Sequence, residues 1–345
     1  MVQSTRSSCG RGSHGFIGSD SGALGVRICR SKDRERSDVV NGCTGREEGQ
    51  QLNVDPAKDS YEPLRTESIA FQPEMTLTRR VIPCIDVDLD DEGNPAVYTG
   101  VNFENLEYTG DPVSMAKTYN EAGADEFVFL DITASAEGRV TMLDTVSTVA
   151  DEVFIPLTVG GGIRTREDVK ETLRAGADKV SINTAALDRP ELITDGAASF
   201  GSQCMVISVD ARRRYDEAGD FYAAIDGESC WFECTVKGGR EGTGVDVVAW
   251  AREAESRGAG ELFVNSIDAD GTKDGYDIPL TEAVCENVGT PVIASSGCGG
   301  PEDMEEAFVE AGADAALAAS IFHFGEYSIR EIKEHLAERD VPVRL

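Results

Sequence analysis

Two aspartates stand at the ends of similar apolar runs and could perform acid–base chemistry. The run Val81–Ile85 leads into Asp86, and the run Cys204–Val209 leads into Asp210, 124 residues further along the chain. Such runs are typical of buried parallel strands. Carboxylates at the carboxyl ends of strands can act as general acid and general base when their environments differ. We predict that Asp86 and Asp210 share one cavity; the alternative is that they only accept hydrogen bonds from loop N–H groups.

Glycine-rich turns accompany these runs and are suited to holding phosphate groups. One set combines Gly160–Gly162 with Asn183–Thr184, and the other combines Ser295–Gly297 with Ala319–Ser320. Glycine lets backbone N–H groups approach an anion, and a hydroxyl adds a further donor. Gly160 and Ser295 are 135 residues apart, which matches an internal repeat described below. We therefore expect a ligand with a phosphate at each end, lying across both aspartates.

Alternating apolar runs and helix-like segments must position these residues. Strands are predicted at about 80–86, 126–131, 155–159, 179–183, 204–209, 261–265, 291–295 and 314–318. Helices are predicted at about 112–122, 141–151, 165–175, 189–199, 245–257, 279–287, 301–311 and 328–338. Eight such units predict a single (β/α)8 TIM barrel with its chemistry at the carboxyl ends of the strands. A doubly wound sheet is the alternative.

The predicted barrel repeats internally. Ala122–Glu126 resembles Arg257–Glu261, and Arg174–Asp178 resembles Glu310–Asp314, at offsets of 135 and 136 residues. The chain is therefore interpreted as two half-barrel repeats. Asp86 opens the first repeat and Asp210 opens the second.

Two segments depart from this alternation. Residues 211–244 contain Asp226-Gly227 between two short apolar runs, which predicts a hairpin, followed by a mobile segment from Lys237 to Gly244. Residues 87–100 are predicted to be a loop. Both segments follow a candidate catalytic aspartate, so each is a candidate lid.

Four charged residues stand at predicted strand starts, at the opposite end of the barrel from the aspartates. They are Arg80, Glu126, Lys179 and Glu261. Charges there could be ordinary surface residues. Because their signs alternate, they could instead form a closed ring of salt bridges that plugs or gates the bottom of the barrel.

The chain is strongly acidic, with 63 Asp and Glu against 32 Lys and Arg, a net charge of −31. Residues 1–74 carry 10 basic and 11 acidic groups, so nearly all the excess lies in residues 75–345. The carboxylates of such a surface repel one another unless salt screens them, because the Debye length falls to ~3 Å at 1 M salt. We predict a halophilic cytoplasmic protein that binds no nucleic acid. Binding of a basic partner is the alternative.

We interpret the nine cysteines as free thiols. We expect neither a bound metal nor a cofactor. Cys230 and Cys234 are four residues apart, but no second Cys or His pair completes a zinc site. No apolar run reaches the ~18 residues of a membrane span. No secretory signal is recognised at the N-terminus.

Residues 1–74 are rich in Ser, Gly, Arg and Asp and lack apolar periodicity, which predicts a disordered extension. Met75 lies five residues before the first predicted strand. An alternative is therefore that residues 1–74 are a leader mis-translated from an upstream start. The predicted division is an extension at 1–74 and a barrel domain at 75–345.

Several motifs together resemble the HisF cyclase subunits of imidazole glycerol phosphate synthase, within the HisA/HisF barrel family. The segments that carry the resemblance are 81–87 (VIPCIDV), 102–106 (NFENL), 129–135 (FLDITAS), 158–163 (TVGGGI), 177–186 (ADKVSINTAA), 200–203 (FGSQ), 266–277 (SIDADGTKDGYD) and 313–323 (ADAALAASIFH). The resemblance covers about residues 77–345 and leaves out residues 1–74.

The resemblance implies a lyase reaction in histidine biosynthesis. Ammonia from a glutaminase partner, HisH, would attack the bisphosphorylated ribulosyl aminoimidazole carboxamide PRFAR, giving imidazole glycerol phosphate and AICAR. Asp86 and Asp210 match the catalytic pair of the family. One proposed division makes Asp210 the general acid and Asp86 the general base, but the sequence does not assign these roles.

The resemblance also implies roles for other residues and a heterodimer with HisH. Phosphate-site matches are Gly162, Asn183 and Thr184 at one end of the ligand, and Gly271, Gly297 and Ser320 at the other, with Asp270 near the ligand. The ammonia-gate matches are Arg80, Glu126, Lys179 and Glu261. Asp178 and Gln203 match positions at the glutaminase interface.

Three departures from the family pattern bear on substrate affinity. Thr99 stands where the family often has a Lys near a ligand phosphate. Ser296 replaces a Gly in the second phosphate loop, and the loop after Asp86 is a few residues longer than usual. None of these departures removes a catalytic group.

Two other functions remain as alternatives. The sister isomerase HisA has the same two-half barrel and acts on the preceding metabolite, although Phe129–Ser135 and Ser181–Ala186 favour the cyclase. A non-catalytic barrel that binds a bisphosphate and regulates a partner belongs to a different class. The presence of both Asp86 and Asp210 argues against it.

Overall fold

Parallel strands close into a barrel with the candidate site at one end. The computed structural model describes residues 77–101, 104–134 and 141–345. Its strands in chain order are β1 (Arg80–Leu89), β2 (Pro95–Val101), β3 (Glu104–Gly110), β4 (Phe127–Asp131), β5 (Leu157–Gly160), β6 (Lys179–Ile182), β7 (Met205–Arg214), β8 (Ala223–Ile225), β9 (Glu228–Val236), β10 (Glu241–Asp246), β11 (Glu261–Ser266), β12 (Val292–Ser295) and β13 (Ala315–Ala318).

Eight of these described strands form the barrel, in the order β1, β4, β5, β6, β7, β11, β12 and β13. Each pairs in parallel with the next, and β13 pairs back with β1, for example Arg80 with Ala315. Closure leaves none of the eight with an open edge. The predicted (β/α)8 barrel is confirmed.

Helices pack around this barrel. The described helices are α1 (Pro112–Glu121), α2 (Leu143–Glu152), α3 (Arg166–Arg174), α4 (Thr184–Asp188), α5 (Glu191–Phe200), α6 (Val247–Arg257), α7 (Ile278–Cys285), α8 (Pro301–Val309), α9 (Ser320–His323) and α10 (Ile329–Glu338). The local sequence explains why several of these helices begin where they do. The Asp111 carboxylate accepts from Ser114 N at 2.8 Å with Pro112 at the first helical position, and Thr165 forms a capping box with Asp168.

Apolar side chains fill both sides of the strands. Outward-facing residues such as Val81 and Ile207 pack against the helices. An inner cluster fills the barrel: Ile82, Cys84, Val128, Val206, Phe263, Ile293, Ala315 and Leu317. This alternation follows from the period of two along a strand. The barrel is therefore a packed core between its two ends.

The two segments that were predicted as loops contain strands. Residues 87–100 are not a loop, because β1 continues to Leu89 and β2 begins at Pro95, turning through Asp90–Asn94. The Asp90 carboxylate holds this turn by accepting from the Glu92 and Asn94 backbone N–H groups. The predicted mobile segment Lys237–Gly244 is also partly a strand, since β10 pairs with β9.

Other expectations differ in smaller ways or fall outside the described residues. The helix predicted at 189–199 is preceded by the separate short helix α4, and α9 was not predicted. Asp226-Gly227 does form the hairpin turn between β8 and β9, with Asp226 at φ 51°. The predictions for residues 1–74, including a start at Met75, lie outside the described residues, as do positions 102, 103 and 135 of the family motifs.

Candidate active site

Asp86 and Asp210 lie where barrel strands change partners. Asp86 pairs with Leu130 in the barrel and is also the first β1 residue to pair with β2, opposite Tyr98. Asp210 pairs with Asn265 in the barrel and is the first β7 residue to pair with β9. Neither residue ends its strand, because the antiparallel hairpins extend β1 and β7. Both aspartates nevertheless lie at the carboxyl end of the barrel, where barrel active sites are found.

One cavity of about 500 Å³ opens at this end. Nine residues singled out for catalysis or ligand binding line it: Asp86, Gly162, Asn183, Thr184, Asp210, Asp270, Gly271, Gly297 and Ser320. Thr99 also lines the cavity. The sequence prediction that the two aspartates and the two glycine-rich sets share a cavity is therefore confirmed in position, while their chemical roles stay predictions.

The Asp210 carboxylate is held by two amide groups. Asn265 Nδ2 donates to Oδ1 at 2.9 Å, and Asn183 Nδ2 donates to Oδ2 at 2.8 Å. The hydroxyl of Ser208 adds a longer contact of 3.5 Å to Oδ1. Burial raises the pKa of Asp210 above its ordinary value, and these donors oppose the rise. Donors aimed at both oxygens favour the ionised form.

Asp86 has a different environment. Among the described residues, its carboxylate receives one hydrogen bond, a weak one from the Cys84 thiol with Sγ 4.0 Å from Oδ1. Burial raises the pKa of Asp86 to about 7, and the negative charge of Asp270 adds to this rise. Without amide donors to stabilise the anion, Asp86 binds a proton near neutral pH.

Asp270 is a third carboxylate in the same cavity. Burial is the main cause that raises its pKa to about 6; the Asp210 charge contributes to this rise, and a hydrogen bond with Ser296 opposes it. Because Asp270 interacts electrostatically with both Asp86 and Asp210, protonation of one carboxylate favours ionisation of the others. These three carboxylates of the cavity therefore share their protons unevenly.

The first candidate phosphate site, called the first phosphate site below and defined as Gly162, Asn183 and Thr184, combines a left-handed glycine loop with the start of α4. Gly161 and Gly162 have φ values of 95° and 71°, and a Cβ at Gly161 would lie 2.1 Å from the Asp131 carbonyl oxygen. Only glycine fits there. The Thr184 Oγ1 accepts from the Lys237 backbone N–H at 3.2 Å, so its own proton can be donated to an anion.

The second candidate phosphate site, called the second phosphate site below and defined as Gly271, Gly297 and Ser320, also combines a glycine loop with the start of a short helix, α9. Gly297 has φ 95°, and a Cβ there would lie 2.1 Å from the carbonyl oxygen of Gly275. Ser296 keeps a left-handed φ of 73°, which glycine tolerates better than serine. Its hydrogen bond with Asp270 offsets part of that strain.

The charged ring, defined as Arg80, Glu126, Lys179 and Glu261, closes at the other end of the barrel. Arg80 donates to Glu126 at 2.6 Å and also to Glu261. Lys179 Nζ lies 2.8 Å from Glu126 and 2.7 Å from Glu261. Glu126 and Glu261 are only 6% and 7% exposed. Each charge therefore contacts two opposite charges where water is scarce, and the predicted ring geometry is confirmed.

Asp178 and Gln203 lie on the same end as the charged ring. Asp178 immediately precedes β6 and Gln203 lies just before β7, and both are exposed. The Asp178 carboxylate accepts from the Leu157 backbone N–H at 2.9 Å. These two residues are therefore separated from the cavity by the barrel interior, as an interface role would require.

Several cavity residues were missed by the sequence analysis. Asn265 is the clearest case, because it is a polar residue directly after the apolar run Leu262–Val264 of β11, and that position was a usable signal. The cavity also includes Arg164, Arg189, Arg240 and Lys273. Their inclusion depends on loop geometry that the sequence pattern does not reveal.

Within the described residues, no cluster of three or more His, Cys, Asp or Glu has the geometry of a metal site. The six described cysteines are free thiols. Among the same residues, no helix combines the length and apolar character that crossing a bilayer requires.

The closed parallel barrel has a cavity lined by carboxylates and glycine-rich loops at the carboxyl ends of its strands, and this arrangement is typical of (β/α)8 barrel enzymes. The family model described as histidine biosynthesis protein matches residues 80–328. The chain belongs to this family, and within it to the HisF subunits of imidazole glycerol phosphate synthase. It is therefore an enzyme subunit of histidine biosynthesis, and the word subunit in the relatives' name implies a partner.

Relatives named imidazole glycerol phosphate synthase subunit HisF support this membership. The protein from Haloarcula marismortui is 80% identical over 271 residues, covering 79% of this chain and 100% of the relative. The protein from Haloquadratum walsbyi is 80% identical over 268 residues, covering 78% and 99%. The protein from Methanosarcina acetivorans is 54% identical over 273 residues, covering 78% and 100%. The halophilic relatives agree with the halophilic character predicted from charge.

Proposed function

We propose that this protein is the cyclase subunit that converts PRFAR and ammonia into imidazole glycerol phosphate and AICAR, a lyase reaction. The observation that carries the proposal is the placement of Asp86 and Asp210 in one cavity, between two glycine-rich phosphate sites. A ligand with a phosphate at each end would span these sites. Its reacting centre would then lie between the two carboxylates.

The carboxylate environments support a division of roles. Ammonia loses protons as it becomes bonded to carbon, and the oxygen of an attacked carbonyl group needs protons to leave as water. Asp210 has amide donors on both oxygens and suits the base. Asp86 has a pKa of about 7 and suits the acid. We therefore favour Asp86 as proton donor, opposite to the division that the family resemblance suggested.

The phosphate sites would hold the ends of the substrate through backbone N–H groups and hydroxyls. The first site supplies the loop at Gly162 and the hydroxyl of Thr184, and the second supplies the loop at Gly297 and the hydroxyl of Ser320. Binding energy at the two ends would fix the middle of the substrate against the carboxylates. Such positioning is a large part of enzymatic rate enhancement.

The charged ring would admit ammonia from a glutaminase partner, HisH, at the bottom of the barrel. Between ring and cavity lies the inner apolar cluster, whose members include Ile82, Val206 and Phe263. An apolar interior disfavours ammonium and favours neutral ammonia, which is the nucleophile. Asp178 and Gln203 are exposed around the ring and would contact the partner. Because the ring is closed in this structure, ammonia entry requires that at least one ion pair open.

The division into an extension at 1–74 and a barrel domain at 75–345 remains a proposal. The segment 75–345 has 271 residues, the same length as the match to the Haloarcula marismortui relative. A histidine-biosynthetic enzyme with this charge suits a salt-rich cytoplasm, which we propose as its location.

The test is a chemical assay of the full chain in 1 M KCl with PRFAR and ammonium chloride. The proposal expects imidazole glycerol phosphate and AICAR in equal amounts, without any partner protein. If the protein instead isomerises the metabolite that precedes PRFAR, it acts as the HisA-type isomerase. If it binds PRFAR but forms no product, the non-catalytic barrel becomes the better account.

A further inference from the structure

The two ends of the cavity differ in their free positive charge. Among the residues that the structure describes, four cationic side chains line the cavity: Arg164, Arg189, Arg240 and Lys273. Lys273 ion-pairs with Glu326, so its charge is largely compensated. Within the described residues, the three arginines form no salt bridge, although acidic residues outnumber basic ones about two to one in this chain. An arginine without a carboxylate partner in such a chain is available to an external anion.

All three arginines are connected to the first phosphate site. Arg164 follows the loop of Gly160–Ile163, and Arg189 directly follows α4, which begins at Thr184. Arg189 Nη2 donates to the Arg164 carbonyl oxygen at 3.3 Å, which links the two segments. Asp188 also lines the cavity but forms no salt bridge with either arginine.

Arg240 lies in the turn between β9 and β10, which positions it at the cavity. Lys237, Gly238 and Gly239 all have left-handed φ values, of 56°, 65° and 77°. The turn is anchored at the site itself, because the Lys237 N–H donates to Thr184 Oγ1 at 3.2 Å. Arg212 Nη2 donates to the Gly239 carbonyl oxygen at 2.7 Å, which holds the turn from β7.

Within the described part of the chain, the guanidinium groups of the three arginines donate hydrogen bonds only to backbone carbonyl oxygens. Arg164 Nη2 donates to the Ala134 carbonyl oxygen at 3.0 Å, and Arg240 Nη1 donates to the Lys237 carbonyl oxygen at 3.0 Å. A guanidinium has five N–H donors, so each of these arginines retains donors for a ligand. Such planar groups suit the oxygens of a phosphate.

We infer that Arg164, Arg189 and Arg240, here called the arginine cluster, bind a phosphate dianion at the Thr184 end of the cavity and make that end the tighter of the two phosphate sites. This inference deepens the proposed function and rests on it for the identity of the substrate. Thr99 lines the cavity and is neutral, so position 99 contributes no positive charge. The arginine cluster supplies positive charge from other loops.

The test uses inorganic phosphate as probe and the full chain in 1 M KCl, where distant charges are screened. Phosphate binding is followed by NMR through the backbone amide signals of Thr184 and Ser320, which report the two sites separately. The wild-type protein is expected to bind phosphate more tightly at Thr184 than at Ser320. Arg164→Gln, Arg189→Gln and Arg240→Gln should each weaken binding at Thr184 by about tenfold and leave Ser320 unchanged.

Two matched variants control this experiment. Arg166→Gln removes an exposed arginine that does not line the cavity, and both affinities should remain unchanged. Lys273→Gln removes a cavity cation that is already paired with Glu326 and should leave the Thr184 affinity unchanged. The inference is overturned if Arg240→Gln leaves the Thr184 affinity unchanged, or if Arg166→Gln weakens it as much as the cluster variants do.

Turnover separates this inference from the proposed function. With PRFAR and ammonium, Arg240→Gln should raise KM about tenfold and leave kcat within about twofold, because the contact holds substrate and transition state alike. If the wild-type protein does not turn over PRFAR while the phosphate titrations behave as expected, the proposed function fails and the arginine cluster stands as an anion site.

Discussion

Asp86 and Asp210 occupy equivalent positions in the two half-barrels. Within the described residues, however, side-chain amides donate hydrogen bonds to the Asp210 carboxylate and not to the Asp86 carboxylate. Each residue is the first of its strand to pair with an antiparallel hairpin, opposite Tyr98 and Thr235 respectively. Asp210 accepts from Asn183 and Asn265, whereas the hydrogen bond that the described residues give the Asp86 carboxylate comes from the Cys84 thiol. Equivalent backbone positions therefore carry carboxylates of different proton affinity, which is what an acid and a base require.

Removing the amide of Asn265 should impair the base. In Asn265→Ala, Asp210 loses the donor at 2.9 Å from Oδ1, so its pKa should rise further. We expect kcat with ammonium to fall about tenfold with little change in KM, and the acidic limb of the pH–rate profile to move to higher pH. Asn287→Ala, outside the cavity, is the control. An unshifted acidic limb would show that Asn265 does not act through Asp210.

The raised pKa of Asp86 should appear in the pH dependence of stability. The folded protein holds this proton up to a pH of about 7, whereas an unfolded Asp releases it near pH 4. Between these values the folded state binds more protons, so stability falls as pH rises. Asp86→Asn removes this loss and should stabilise the protein at pH 8 by on the order of 3 kcal/mol relative to wild type.

Denaturant unfolding at pH 4 and pH 8 measures this effect. The difference between Asp86→Asn and wild type should be small at pH 4 and large at pH 8. Asp195→Asn, an exposed change on α5, controls for the loss of one negative charge. Equal differences at both pH values would mean that Asp86 is not protonated in the folded state at neutral pH.

Breaking the charged ring should be costly. Arg80→Met leaves Glu126 and Glu261 buried with one cation fewer, and we expect a loss of about 3 kcal/mol in unfolding free energy. Arg80→Met combined with Glu261→Gln removes one charge of each sign and should recover part of that loss. A double variant less stable than Arg80→Met alone would contradict the account of the ring as mutually compensating charges.

Salt should stabilise the protein. The excess of acidic residues in 75–345 produces repulsion that salt screens, so the melting temperature should rise steadily from 0.1 M to 3 M KCl. Thermal melting followed by circular dichroism measures this. The same melting temperature at both salt concentrations would refute the interpretation of the charge as a halophilic adaptation.

Much of the barrel could be predicted because its signals are local. The apolar runs before Asp86 and Asp210 predicted both strands, and the offset of 135 residues, which the internal repeat shares, paired the two glycine-rich loops with each other. Side-chain direction alternates along a strand, so a residue's place in the run also predicts whether it faces the barrel interior. The charged ring followed from the same reasoning applied to the strand starts.

The β1–β2 and β9–β10 hairpins were missed because tertiary pairing forms them, whereas Asp226-Gly227 did predict the hairpin between β8 and β9. Residues Lys237–Gly244 are rich in glycine, and β10 exists because Glu241 and Gly242 pair with β9. The role of Asn265 emerged only from the register that places it beside Asp210. The arginine cluster comes from separate loops, and no sequence spacing reports their convergence on one cavity.

The central claim is that Asp86 and Asp210 together carry out the cyclase chemistry. The most direct measurement compares the full-length wild type with Asp86→Asn and Asp210→Asn, following product formation from PRFAR with saturating ammonium chloride in 1 M KCl. PRFAR binding is measured for each variant to show that the cavity is intact. The account predicts turnover by the wild type and loss of turnover by at least about a thousandfold in each variant that still binds substrate. Near wild-type turnover by either variant would contradict it.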